Sequence, residues 1–191
     1  MDITRVTNFH DLVSAPFAEE INAICWARDL QGDFSEIVEK LNLSGNIKEI
    51  EVEADQNLLE HISTKVENGV LIITSDENIE SAETLIVRVQ MPVIEALTAT
   101  SGSTISVNTT LKGKNIRLDS SSGSQIDAIL EYDEVRSTSS SGSSITLSGI
   151  ALKLFTDASS GSDITAKSLE ANTVKSEASS GSTTSVNALQ E

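Results

Sequence analysis

One short turn recurs along the second half of the chain: Thr100-Ser101-Gly102-Ser103, then Ser-Ser-Gly-Ser at 121–124, 140–143, 159–162 and 179–182. Aligned on Gly102, Gly123, Gly142, Gly161 and Gly181, the copies are 21, 19, 19 and 20 residues apart. A repeat near twenty residues is too long for a heptad and too short for a domain. It is the period of a small supersecondary unit that stacks on copies of itself.

The residues around each glycine say what the unit is. Three positions after it stand Ile105, Ile126, Ile145, Ile164 and Thr184, and five positions after it Val107, Ala128, Leu147, Ala166 and Val186. Apolar residues two apart with polar residues between them belong to one face of a β-strand. Seven positions before the last four glycines, Ile116, Val135, Leu154 and Val174 mark a second strand segment. Helical periodicity is absent, and Gly/Ser linkers carry no apolar residues at fixed offsets, which argues against disorder. One unit cannot bury two or three aliphatic side chains alone, whereas stacked units turn each offset into a column. The expected fold is therefore all-β, a single-stranded parallel β-helix (β-solenoid) of about 20 residues per coil. Aromatic residues make up only 3% of the chain, which suits a narrow aliphatic interior. The five glycines are the expected structural corners, where a left-handed backbone is open to glycine and adjacent hydroxyls can satisfy backbone groups.

Upstream the repeat stops but strand patterning continues. Ile50–Ala54 alternates, Val70–Thr74 follows the turn Glu67-Asn68-Gly69, and Leu85–Met91 ends at Pro92. Residues 48–191 thus divide into irregular coils or a small sheet (48–95) and regular coils (96–191). Residues 1–47 differ, holding Trp26, Cys25 and three of the four phenylalanines. Asp33-Phe34-Ser35-Glu36 resembles a capping box, and Phe34, Ile37, Val38 and Leu41 share a helical face, which predicts an amphipathic helix over 33–43. Such a segment would serve as a cap on the solenoid end, or be an appended piece.

The net charge of −16 is uneven: residues 96–191 hold 10 acids and 7 bases, and the first 95 hold 19 and 6. With no Lys/Arg cluster, this acidity points away from nucleic acid. Cys25 is alone, so no internal disulfide forms. No stretch approaches a membrane span, and Met1-Asp2-Ile3-Thr4-Arg5 does not read as a signal peptide, so the chain is cytoplasmic or its leader lies elsewhere.

The run Glu51-Val52-Glu53-Ala54-Asp55-Gln56-Asn57-Leu58-Leu59, then Ile62–Ile73, the strand Val87-Arg88-Val89-Gln90-Met91-Pro92 and the serial SGS corners together resemble the putative auto-transporter adhesin, head GIN domain family, over roughly residues 48–191. The resemblance implies a bacterial, secreted or surface-exposed β-helical protein of the cell surface or periplasm. It carries no shared catalytic residue.

Catalytic chemistry finds little support. His10 and His61 are far apart without ligand-like spacing, no Gly-x-Ser-x-Gly elbow occurs, and no base accompanies the corner serines. Asp119, Asp127, Asp157 and Asp163 are the carboxylates available to a carbohydrate-active enzyme, but they read as scattered and solvated. No catalytic residue, metal ligand or cofactor is expected. Four positions after each glycine, Ser106, Asp127, Thr146, Thr165 and Ser185 form an outward polar column, the candidate binding face. The expected function is a non-catalytic module displaying a rigid polar surface to a glycan or a surface protein. The alternatives are a homo-oligomeric scaffold stacking through its ends and, least favoured, a carbohydrate-active enzyme.

Overall fold

The computed structural model describes residues 3–7, 37–43, 49–76, 79, 85–91 and 93–189. The described residues form thirteen strands: β1 (Ile3–Thr7), β2 (Ile37–Leu43), β3 (Glu49–Asp55), β4 (Ile62–Glu67), β5 (Val70–Ser75), β6 (Leu85–Gln90) and β7 (Ile94–Ala99), then β8 (Thr104–Ser106), β9 (Leu111–Ser120), β10 (Gln125–Ser139), β11 (Ser144–Ala158), β12 (Asp163–Ala178) and β13 (Thr183–Ala188). From β7 onward paired strands run parallel, β8 and β9 together forming one coil and β10, β11, β12 and β13 each stacking on the coil before, which is the predicted solenoid.

The register accounts for every irregularity in the glycine spacing. Between β10 and β11 the offset is 19 throughout, from Gln125 opposite Ser144 to Ser139 opposite Ala158. In the first coil Thr104 pairs with Gln125 but Leu111 pairs with Leu130, so the offset drops from 21 to 19. The two extra residues are taken up in the connection between β8 and β9. In the fourth coil the offset changes from 19 at Thr146–Thr165 to 20 at Ser148–Ser168, a one-residue bulge in β12. Longer coils bulge locally and leave the columns in line.

Those columns form the core. Ile105, Ile126, Ile145 and Ile164 are stacked partners and essentially inaccessible, as are Ile116, Val135 and Leu154. Within β10 the buried residues run 126, 128, 130, 132 and then 135, 137, 139. The alternation slips by one residue between Tyr132 and Val135, so the strand bends there and its second leg faces the core with the opposite parity. Gly113, below Tyr132 in the neighbouring coil, leaves the space that the ring fills: a Cβ there would lie 2.6 Å from Tyr132 Cε1. The Tyr132 hydroxyl donates to the Ile94 carbonyl, 2.7 Å away, and burial, with the charge of Glu95 adding to it, raises the phenol pKa well above its ordinary value.

The start of the fold is antiparallel. β3 lies between β1 and β6, and β2 lies between β5 and β7. Strand β7 is the junction, antiparallel to β2 on one side and parallel to β9 on the other. This corrects the helix predicted over 33–43. Residues 37–43 are a strand, with Leu41 opposite both Leu71 and Leu97, while 33–36 lie outside the described residues. A three-to-four spacing over so few residues fits either structure, and two ladders of backbone hydrogen bonds outweigh a marginal isolated helix.

Candidate functional site

Each corner has two left-handed residues, not one. Ser101, Ser122, Ser141, Ser160 and Ser180 have φ between 53° and 56°, and the glycines after them between 71° and 76°. Successive positive φ values are those of a type I′ turn, and the closing bond runs, for example, from the Ser143 amide to the Ser140 carbonyl at 3.3 Å. The corners also bond to one another. The amides of Gly102, Gly123, Gly142 and Gly161 donate to the carbonyls of Ser122, Ser141, Ser160 and Ser180 in the next coil, at 3.0 to 3.2 Å.

The final serine of each copy points inward. Ser103, Ser124, Ser143 and Ser162 are at most 2% exposed. The Ser143 hydroxyl sits 2.7 Å from the carbonyls of both Ser140 and Ser120, accepts from the Ser140 amide at 3.1 Å, and lies 2.8 Å from the Ser139 hydroxyl. Ser124, Ser162 and Ser182 repeat the bonds within the turn and to the coil before. Each such hydroxyl rivets its turn to the preceding coil. Only polarity is visible in Ser-Ser-Gly-Ser as a string, and polarity alone suggests exposure.

On the outside, the structure brings the five candidate binding residues together. Ser106, Asp127, Thr146, Thr165 and Ser185 are paired in successive coils, with the Gln125 amide donating to the Asp127 carboxylate at 2.7 Å. Asp163 lies on the same face one column over, in line with Gln125 and Ser144. Asp119 and Asp157 lie elsewhere, two coils apart in the column Asp119, Thr138, Asp157, Glu177.

That second face carries a group absent from the candidate list. Arg117, Arg136, Phe155 and Lys175 stack in four successive coils. They stand six residues before Gly123, Gly142, Gly161 and Gly181, a fixed offset readable in the sequence beside the apolar column one residue earlier. Each cation meets a carboxylate two residues away on its own strand: Arg117 Nε on Asp119 at 2.6 Å, Arg136 Nε on Glu134 at 2.7 Å and Lys175 on Glu177 at 2.8 Å. The hydrogen bond to Asp119, then its charge, raises the Arg117 pKa; Glu177 does the same for Lys175, whose ammonium holds the Glu177 carboxyl below its ordinary value. The Arg136 guanidinium lies 4.3 Å from the centre of the Phe155 ring. A cavity of about 360 Å³ opens along this column, and a second of about 570 Å³ adjoins it, sharing Arg117 and Arg136.

His61 is bonded to Asp76 at 3.0 Å, and His10 and Cys25 lie outside the described residues. Among the described residues no three His, Cys, Asp or Glu side chains are grouped to hold a metal ion, and no helix is long and apolar enough to cross a membrane.

Similar architectures exist among solved structures. A putative adhesin from Bacteroides fragilis superposes with a TM-score of 0.71 at 16% identity, covering 78% of this chain and 69% of that one. A putative adhesin from Parabacteroides distasonis gives 0.59 at 20% identity over 83% and 84% of the two chains. A putative lipid binding protein from the same species gives 0.56 at 14% identity over 78% and 73%. At such identities the likeness is one of fold. No match is found among curated proteins. The family model of the putative auto-transporter adhesin, head GIN domain, matches residues 34–191, and the chain belongs to that family.

Proposed function

We propose that the chain is a non-catalytic module of the cell surface or periplasm that presents a rigid polar surface for adhesion. The observation that supports this reading most is the register. Apart from the slip near Asp133 and the bulge in β12, outward side chains from β9 to β12 are held in columns by parallel pairing, so donors and acceptors recur one coil apart, about 4.8 Å. A surface pre-arranged in this way loses little freedom when it binds an extended partner. The adhesin family and the adhesins of similar fold support the same reading. The partner is a glycan or a surface protein.

Incubating the purified chain with immobilised glycans and with whole bacterial cells tests the proposal. Retention on either, with the ligand unchanged in mass, is the expected result. Shortened glycan products would refute the non-catalytic part, and no retention on any surface would refute the binding part.

A further inference from the structure

The geometry points to the groove along Arg117, Arg136, Phe155 and Lys175 as a subsite for an uncharged, hydroxyl-rich glycan chain lying parallel to the solenoid axis. This rests on the adhesive reading above and gives it a place and a ligand class, on a different face from the Ser106–Ser185 column.

Four observations carry it. First, the groove has donors to spare: each arginine spends Nε on its carboxylate, which leaves the terminal Nη groups of a rigid fork for a ligand. Second, the groove is zwitterionic. Three cations alternate with Asp119, Glu134 and Glu177, so it offers donors and acceptors side by side, the requirement of vicinal hydroxyls, with little net charge. A chain of charge −16 repels a polyanion at long range, and these cations are already neutralised, so a polyphosphate or polyuronate is disfavoured. Third, Phe155 is the only phenylalanine among the described residues, and it sits half-buried in an outward column whose other members are Arg117, Arg136 and Lys175. Its ring holds the Arg136 guanidinium in place and gives the C–H face of a sugar an apolar step. Fourth, the column repeats every coil, about 4.8 Å, close to the advance of one sugar unit in an extended β-linked chain, and it spans three coil steps.

Isothermal titration of the full chain with cellohexaose, chitohexaose and hexagalacturonate provides the test, after an array of neutral and acidic polysaccharides has shown which linkage binds best. The expected result is binding to a neutral oligomer, weakened about tenfold or more by Arg136→Ala and about threefold by Phe155→Leu. Both residues lie on the surface, and unchanged melting temperatures confirm that the variants are folded. Loss on Thr146→Ala and Thr165→Ala instead, with the groove variants binding normally, would overturn the location and leave the adhesive reading standing. Preference for hexagalacturonate would overturn the ligand class. No glycan binding by the wild-type chain would overturn the proposal, and retention on cells would then show that the adhesive reading survives through a protein partner.

Discussion

Replacing Ser143 by alanine isolates the rivet at one corner, and the contacts set the size of the effect. The hydroxyl's one proton serves two carbonyls, and its lone pairs accept from the Ser140 amide and the Ser139 hydroxyl. Alanine removes all of these, yet no partner is left bare. The Ser120 carbonyl keeps the Ser140 amide at 3.0 Å, the Ser140 carbonyl keeps the Ser143 amide at 3.3 Å, and the Ser139 hydroxyl keeps the Ser143 carbonyl at 3.1 Å. The larger penalty for an orphaned buried group therefore does not apply. The loss is that of roughly two net hydrogen bonds, about 2 kcal/mol. For a chain of this size that lowers the melting temperature by about 4–8 °C. Ser159, which contributes its backbone N–H and C=O to the equivalent corner, is the comparison; Ser159→Ala should cost under about 0.5 kcal/mol. Urea unfolding followed by far-UV circular dichroism measures both. Equal midpoints for Ser143→Ala and wild type, or a larger loss for Ser159→Ala, would refute the reasoning.

Two glycines should fail for different reasons. Gly149 has φ +112°, and a Cβ there would lie 2.0 Å from the Leu130 carbonyl oxygen, so Gly149→Ala should cost more than about 3 kcal/mol, whereas Gly142→Ala, with open space around it at φ +71°, should cost only about 1–2 in the same unfolding assay. Ser141→Asn should raise the unfolding free energy by up to about 1 kcal/mol, because asparagine tolerates the left-handed position before glycine better than serine does. The raised pKa of Tyr132 means that its contribution is complete below the ordinary phenol pKa of about 10 and is lost as pH rises beyond it, by at most about 1.4 kcal/mol per pH unit. Tyr132→Phe should flatten that alkaline slope in thermal melts.

The solenoid is legible in the sequence because its core obeys a local rule: Ile126 and Ile145 recur at one offset from a glycine, and stacking follows from the repeat. The strand at Ile37–Leu43 is not legible, since its form is decided by partners such as Leu71 and Leu97, thirty and more residues away. The buried serines escape for another reason. Ser124 and Ser143 are polar, and their pairing with carbonyls of their own turn and of the preceding coil makes burial favourable. The Arg117–Lys175 column lies within reach of the same offset arithmetic, but chemical identity varies along it, Arg, Arg, Phe, Lys, where the isoleucine column is uniform. The cation–aromatic contact that joins its members appears only when the coils are stacked.

The solenoid requires the Ser-Ser-Gly-Ser corners to be stacked structure and not flexible linker. Amide hydrogen exchange followed by NMR reads this residue by residue. The amides of Gly102, Gly123, Gly142 and Gly161, each bonded to a carbonyl of the next coil, should be strongly protected. Exchange of those four amides at the rate of an unstructured Gly/Ser chain would contradict the stacked-coil account.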